Sequence, residues 1–494
     1  MEEELDLDNP VLAALDAAEA PGAPKDSELA KIVLNDLGNV RRLLARFGND
    51  IAHTDERGWL AWDGKSWSDK DGLAFARRCA HKTADALWLE LEAMTLGEVR
   101  KKAMRKHALR SGNSGAISAM LAEAAAYSRR VSEDFDADPH LLNVENGTLC
   151  LDGDGVRLKA HDRFDRITRL CDVSYNPDAP APKRWLKFVE ECQPDVGVQV
   201  FLQRWLGYCL SGSIIEQKIA VFEGQGSNGK STMIDVVAAI LGSYAATAPI
   251  ETWLYSERKS GSGPSPDLAR LPGVRLVRTS EPEAGMRLSE SVIKQWTGGE
   301  RIITRRLNKD FFEFKPVGKL TMSLNVKPSI VGKDFGIRRR ILMVPFRETF
   351  ARQPGVDFTA MLLAEREGIL NWLLDGWRLY REDGLKVPSA VEAATEAYFS
   401  ENDPIGQFVI EACETLMAAP EVCERKYIYS SGADLYAAYK IWSDENNAEP
   451  KKLTPFGKRL GDLGFEMKKI GGSRRKMRMG IKVKPEYQAT SEAA

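Results

Sequence analysis

The 494-residue chain contains no apolar run of membrane-spanning length, so no helical span through a bilayer is expected. Its seven cysteines are scattered and include no C-x-x-C pair, which argues against a disulfide framework or a zinc ribbon. The five histidines, His53, His81, His107, His140 and His161, lie too far apart in sequence to suggest a metal site. No positively charged leader opens the chain, so a secretory signal is not expected and a reducing cytoplasm fits. Internal repeats are absent. What remains is an ordinary globular composition, 43% apolar, with a length that suits roughly three domains.

A net charge of −2 conceals a strong asymmetry. Residues 1–30 carry nine acids against Lys25 alone, in an Ala/Pro-rich stretch that reads as a disordered tail. Residues 451–484 carry twelve bases against Asp462 and Glu466. A basic terminal segment of that kind points to nucleic acid.

Chemistry is most legible in the middle of the chain. Gly224-Gln225-Gly226-Ser227-Asn228-Gly229-Lys230-Ser231-Thr232 matches the phosphate-binding pattern G-x-x-x-x-G-K-[ST] at every fixed position. An apolar strand, residues 218–223, precedes it, and residues 233–241 follow with helical spacing up to Gly242. Backbone N–H groups of such a loop cradle phosphates at a helix N-terminus; Lys230 reaches the β and γ phosphates, and Ser231 holds Mg²⁺. The expected ligands are therefore a nucleoside triphosphate, which the resemblance given below implies is ATP, and Mg²⁺. A second strand, 274–279, leads into Ser280-Glu281-Pro282-Glu283. A carboxylate there would hold the metal and polarise the attacking water, with Glu281 the first choice and Glu283 the second.

Beyond these acids, residues 291–300 read as a helix that stops at Gly298-Gly299. Residues 301–305 and 311–315 form a hairpin whose polar tip carries Arg305, Arg306, Asn308 and Lys309. An apolar strand ends at Asn325, and Arg338-Arg339-Arg340 precedes another at 341–346.

The ordered set GQGSNGKST, SEPE, IKQWTGGERIITRRLNKDFFEFKP, SLNVKP and GIRRRILMVPF resembles the helicase core of the phage and plasmid primase–helicases, relatives of poxvirus nucleoside triphosphatases in helicase superfamily 3. The resemblance implies an α/β fold: an AAA+ P-loop superfamily-3 core with an α+β N-terminal module and a C-terminal winged helix. It also implies a ring, with a hexamer expected, that moves along DNA with ATP, in the cytoplasm of a bacterial host cell. On these motifs Lys230, Ser231 and Thr232 belong to the first, Glu281 to the second, and Asn325 is the sensor of the γ-phosphate. Arg339 and Arg340 match the pair that reaches a neighbour's nucleotide, and Arg305, Arg306, Asn308 and Lys309 fall on the DNA-gripping hairpin. Two departures stand out. Ser280 occupies a place where relatives often carry a first acid, leaving Glu283 open as a contributor. Arg338 stands where a tryptophan is common, leaving the finger open among Arg338, Arg339 and Arg340.

The flanks divide into a tail at 1–35, an N-terminal module at 36–185, the motor at 186–390, and a linker with a winged helix at 391–494. Residues 57–67 read as a hairpin with Asp63-Gly64 at its turn, its three tryptophans forming a small core in preference to stacking on bases. Asp134 and Asp136 are the one pair of acids reminiscent of a primase metal site, but no basic catalytic pocket accompanies them, so a form without its own primase is expected. Residues 358–380 have the spacing of a packing helix, and residues 401–404 read as a hinge. Residues 432–446 and 454–463 then form helices, followed by a basic ribbon turning at 471–473. With Thr454 as N-cap, Lys458 and Arg459 would face a DNA groove, supported by Arg474, Arg475 and Lys476 on the wing. The expected partners are single-stranded and duplex DNA, further copies of the chain, and a separate primase or polymerase, with no membrane. The leading function is an ATP-dependent DNA helicase in replication of a phage, plasmid or other mobile element. The alternatives are an ATP-switched initiator that binds and melts an origin, and a full primase–helicase.

Overall fold

The computed structural model describes residues 24–95, 97–153, 155–256, 267–279, 286–306, 310–330, 335–350, 357–401, 403–415, 428–446, 449–469 and 476–487. The acidic head up to residue 23, Glu281, Glu283, Asn308, Lys309, Arg474, Arg475 and the expected turn at 471–473 lie outside the described residues.

After a short helical turn at Asp26–Leu29, the N-terminal part has helix α1 (Asp36–Phe47), then a meander of β1 (Ile51–Thr54), β2 (Gly58–Trp62) and β3 (Trp67–Ser68). Helices α2 (Gly72–Glu92), α3 (Glu98–Ser111) and α4 (Ser114–Tyr127) follow. Trp67 is buried with Trp62 packed beside it and Phe135 edge-on at 5.8 Å, while Trp59 is buried in a separate core with α1. Trp59 and Trp67 are core, in two clusters in place of the single small core expected, and Trp62 is half-buried. A second meander, β4 (Leu141–Val144), β5 (Gly147–Cys150) and β6 (Arg157–Lys159), ends this part. Asp136 is turned onto Thr168, accepting from its N–H at 2.8 Å and its hydroxyl at 2.5 Å.

Helices α5 (Lys183–Cys192) and α6 (Val196–Tyr208) lead into a five-stranded parallel sheet. Its strands are β7 (Ile219–Glu223), β8 (Ala245–Ala248), β9 (Leu276–Thr279), β12 (Lys319–Leu324) and β13 (Ile341–Pro345), in the order β13-β7-β12-β9-β8. Parallel strands buried on both faces favour apolar residues; β7 and β13 are largely apolar, while β12 buries Lys319, Thr321 and Ser323 among its apolar residues. Along β7, Ala220 and Phe222 enter a core shared with α5, α6 and the β4–β5 hairpin, while Ile219 and Val221 enter another. The first core runs from Leu142 to Val391, binding the N-terminal meander to the sheet. The second holds α8 (Glu290–Gly298) and the antiparallel hairpin β10 (Ile302–Arg305) with β11 (Phe311–Phe314). Helix α7 (Lys230–Leu241) runs between the phosphate loop and Gly242.

Two buried cations lock the lower end of the sheet. Lys319 donates to the carbonyls of Ser211, Ser213 and Val317 and lies 4.9 Å from the Tyr208 ring centroid. Burial first, and the Arg275 charge with it, pushes its ammonium down to about 7. Arg275 stacks on Tyr244 and donates to the carbonyls of Leu210 and Leu141.

The stretch expected as one helix at 358–380 is two, α9 (Phe358–Leu363) and α10 (Arg366–Asp383). The break has a use: the Glu365 carboxylate accepts the Arg184 and Trp185 N–H groups at 3.0 and 3.1 Å, capping α5 where Pro182 has no side chain to offer. Helix α11 (Ser389–Glu401) then leads to α12 (Pro404–Ala412), β14 (Cys413–Thr415), β15 (Tyr429–Ser431), α13 (Gly432–Glu445) and α14 (Leu453–Asp462). The chain closes with β16 (Met467–Lys469), β17 (Lys476–Met479) and β18 (Ile481–Val483). The last ribbon was expected to be a simple hairpin. Instead Gly480, at φ +77°, breaks its second arm, so β17 pairs with β15 and β16 while β18 joins β14. Thr454 is not the N-cap of α14: the helix starts at Leu453 behind Lys452, with Thr454 and Pro455 inside the first turn.

Helices α6 and α10 touch through glycine. A Cβ at Gly376 would overlap the Gln203 carbonyl oxygen, and one at Gly207 would overlap the backbone of residues 376–377. Gly376→Ala should therefore force the helices apart and cost about 1–3 kcal/mol. Thermal melting would check this; an unchanged Tm would mean that the helix contact yields freely.

Candidate functional site

The phosphate loop grows out of the carboxyl end of β7, where parallel sheets offer a crevice for ligands. Its backbone is left-handed at Ser227 (φ +49°), Gly226 (φ +97°) and Gly229 (φ +81°). At Gly229 a Cβ would overlap Cys192 Sγ, so only glycine lets α7 start so close to α5. The loop is held from outside as well. Phe350 donates its N–H to the Ser227 carbonyl at 2.7 Å, and Asn228 donates to the Phe346 carbonyl at 3.3 Å. Gln193 braces the end of β13 through the Pro345 carbonyl at 3.0 Å.

Lys230 is buried, and its ammonium donates to Gly224 O at 2.9 Å, Asn228 Oδ1 at 2.8 Å and Asn325 Oδ1 at 3.0 Å. Asn325 arrives there because β12 pairs in parallel with β7, Leu324 opposite Glu223. Ser231 is exposed at the start of α7, its hydroxyl 3.4 Å from that of Ser323. The structure thus gathers Gly224 to Ser231 with Asn325. Ser323 and Phe346 were missed as supports, since they act only through tertiary placement.

Arg339 and Arg340 are elsewhere. They precede β13, whose Ile341 pairs with Ile219 at the start of β7, so they sit at the edge of the sheet opposite the loop. Arg339 is exposed and donates to Gln217 Oε1 at 2.6 Å. Arg340 is half-buried and donates to Thr297 Oγ1 at 2.9 Å and the Gly336 carbonyl at 2.5 Å. Arg338 pairs with Glu396 at 2.7 Å and lies over the Phe399 ring.

The two described hairpin bases, Arg305 and Arg306, are engaged with neighbours. Arg305 lies over the Phe311 ring at 4.7 Å, and Arg306 meets Asp69 of the N-terminal part at 3.4 Å. Asp69 also pairs with Arg57 at 3.1 Å; burial alone would raise its pKa, but the two guanidiniums outweigh that and hold the carboxyl below its usual range. At the root of the same hairpin Arg301 meets Glu133 at 2.5 Å. In the C-terminal part Lys458 and Lys476 are exposed, as a DNA contact requires. Arg459 is not. It donates to Asp403 from Nε at 3.1 Å and Nη2 at 2.5 Å, while Asp403 caps α12 through the Gly406 N–H at 2.8 Å. The expected groove-facing base therefore ties α14 to the expected hinge. Among the described residues no group of three or more His, Cys, Asp or Glu could hold a metal ion.

Two family models match the chain on either side of the sheet. One, described as D5 N terminal like, covers residues 40–194; the other, Poxvirus D5 protein-like, covers residues 400–483. The phosphate-loop sheet is thus framed by domains of the D5 type. These matches are consistent with the primase–helicase family that the motifs resemble. It is 29% identical over 305 residues to a protein of Acanthamoeba polyphaga mimivirus named as a putative helicase, covering 58% of this chain and 32% of that one. It is 22% identical over 331 residues to a protein of African swine fever virus named as a putative primase, covering 63% of this chain and 34% of that one. The chain spans about a third of the length of these curated relatives. A solved structure, the C-terminal region of NrS-1 in its apo form, is similar with a TM-score of 0.43 and 14% identity, over 74% of this chain and 90% of that one. The relatives come from viruses of eukaryotes, which gives no support to the bacterial host cell expected above. Among the described residues no helix is long and apolar enough to cross a membrane.

The Arg306–Asp69 contact makes a prediction of its own. Asp69→Ala should cost less than about 1 kcal/mol of stability, since the pair is partly exposed, yet should speed amide exchange across β10 and β11. Unchanged exchange there would mean that the ion pair does not restrain the hairpin.

Proposed function

We propose that the chain is an ATP-dependent DNA helicase, a ring-forming superfamily-3 motor acting in viral or mobile-element replication. The observation that carries this reading is the Lys230 ammonium poised at the carboxyl end of a parallel sheet between the loop and Asn325. The residues fit a nucleoside triphosphate. A Cβ built on Gly226 would meet nothing closer than Asn325 at 3.9 Å, so the space over the loop is open to phosphate. On triphosphate binding, the lysine exchanges its carbonyl acceptors for β and γ phosphate oxygens, and Asn325 is left beside the γ-phosphate to sense it. A magnesium ion, when bound, supplies charge neutralisation of the phosphates and would be held by the Ser231 hydroxyl and Glu281.

The position of Arg339 and Arg340 supports a ring. Four residue steps of β13 separate their end of the sheet from the loop end, about 13 Å, so they face away from the chain's own nucleotide. A neighbouring copy's nucleotide is what such a pair can serve, as arginine fingers do. In this reading Arg305, Arg306, Asn308 and Lys309 grip the strand in the pore. The C-terminal helices and ribbon act as a winged helix, anchoring duplex through Lys458, Arg474, Arg475 and Lys476. A separate primase or polymerase would work alongside.

Lys230→Ala should abolish ATP hydrolysis and strand displacement while leaving the fold and basal DNA affinity nearly intact. Undiminished hydrolysis would exclude the loop as the active site. A substrate with long duplex separates a motor from an initiator, which would stop after a short bubble.

The ring has its own test. Arg339→Ala with Arg340→Ala should leave ATP binding normal and make hydrolysis slow. Mixing that protein with the Lys230→Ala protein should restore part of the activity, because mixed rings contain an interface with one intact loop and one intact arginine pair. Mixtures that stay inactive at every ratio would place the arginines' action within one subunit or remove it altogether.

A further inference from the structure

Helix α3 presents a charge pattern that no part of the proposed motor uses. Its sequence contains Arg100, Lys101, Lys102, Arg105, Lys106 and Arg110 against Glu98 alone, in a chain whose net charge is −2. From Val99 to Arg130 the only acid is Glu123. Packing sorts these residues by face. Met104, His107, Ala108 and Ser111 are buried, with His107 bonded to Asn39 at 2.9 Å and its pKa lowered by burial, so it adds no charge at neutral pH. Arg100 turns aside to donate to the carbonyls of Ala30, Lys31 and Ile32.

The opposite face holds Lys102, Arg105 and Lys106, all exposed, and Arg110, 71% exposed and 3.6 Å from Asp36. Lys102, Lys106 and Arg110 follow one another at four-residue steps, about 6 Å of helix rise each, with Arg105 alongside. Leu109, 69% exposed, sits in the same stripe, so water reaches the whole face. A file of like charges on one helix, met here among the described residues only by Asp36 beside Arg110, repels itself and is a net cost to the fold unless a ligand answers it. The ligand whose own charges recur along a line is a polynucleotide backbone.

We propose that the exposed face of α3 is a nucleic-acid-binding surface in the N-terminal module, gripping the phosphodiester backbone without reading bases. It is separate from the hairpin and from the C-terminal ribbon, and it rests on the proposed DNA-handling function. Because the contact is electrostatic, each phosphate neutralised adds about 0.7 to 0.9 to the slope of log affinity against log salt. The rival occupant is the chain's own acidic head, whose acids include Glu2, Glu3, Glu4, Asp6 and Asp8.

The test uses the full chain with Lys102→Glu, Arg105→Glu and Lys106→Glu together, all at exposed positions, and labelled single-stranded and duplex oligonucleotides across a salt series. Affinity should fall by roughly tenfold or more at low salt, with a slope flatter by about 2–3. ATP hydrolysis without DNA should be unchanged. A loss confined to one of the two oligonucleotides identifies the form of nucleic acid held. Equal affinity and slope in variant and parent would overturn the proposal, and would do so even if Lys230→Ala abolished hydrolysis as the motor reading requires. The same three changes are repeated in a chain with Glu2→Gln, Glu3→Gln, Glu4→Gln, Asp6→Asn and Asp8→Asn. If they then cease to weaken DNA binding, the occupant is the acidic head and the proposal is overturned.

Discussion

The parallel pairing of β12 with β7 is the constraint on which the site depends. It brings Leu324 opposite Glu223, and so sets Asn325 beside the first glycine of the loop. The Lys230 ammonium then finds acceptors from the loop's start, the loop's crown and a different strand. A buried ammonium without such partners would be costly. The same oxygens that satisfy it keep it extended over the loop. Shift β12 by one residue and the register would replace Asn325 with Val326 or Leu324, neither of which has a side-chain acceptor.

Around this centre, the chain is fastened across long sequence distances by a few charged groups. Glu365 caps a helix that starts near residue 183, and Arg459 ties the last helical unit to Asp403. Arg306 and Arg301 join the hairpin to Asp69 and Glu133 in the N-terminal part. The two hairpin pairs, partly exposed, contribute little to overall stability. Their value is in orientation, since each fixes one element against another while leaving the contact easy to break.

Much of the sheet was legible from sequence because its strands obey a simple rule. A strand covered on both faces is rich in apolar residues, and the runs of β7, β9, β12 and β13 are bounded by glycine, charge or asparagine. The loop was legible because its glycines serve backbone angles that side chains resist. The helix of residues 290–298 and the hairpin after it followed from period and turn residues. What escaped was everything set by a distant partner. Nothing near Arg459 in sequence announces Asp403, nor anything near Arg306 the carboxyl of Asp69. Thr454 looked like a cap because its type favours one, yet the helix began a residue earlier. Gly480 looked like part of a strand, and its positive φ instead sends the chain from one sheet to another.

Strand β12 is fixed at both ends: Lys319 is fastened at its base to the carbonyls of Ser211 and Ser213, and Asn325 stands just past its tip. Gly212, between those carbonyls, donates to Pro139 just before the β4–β5 hairpin at 2.8 Å. Trp205 of α6 grips the strand's middle through the Thr321 hydroxyl at 3.0 Å. In a close-packed interior such a strand cannot bend to absorb a displacement. It acts as a strut, so that a displacement of Asn325 would be carried lengthwise to the segment at 211–213 and from there to the N-terminal meander. The phosphate end of the sheet and the first half of the chain therefore share one mechanical element.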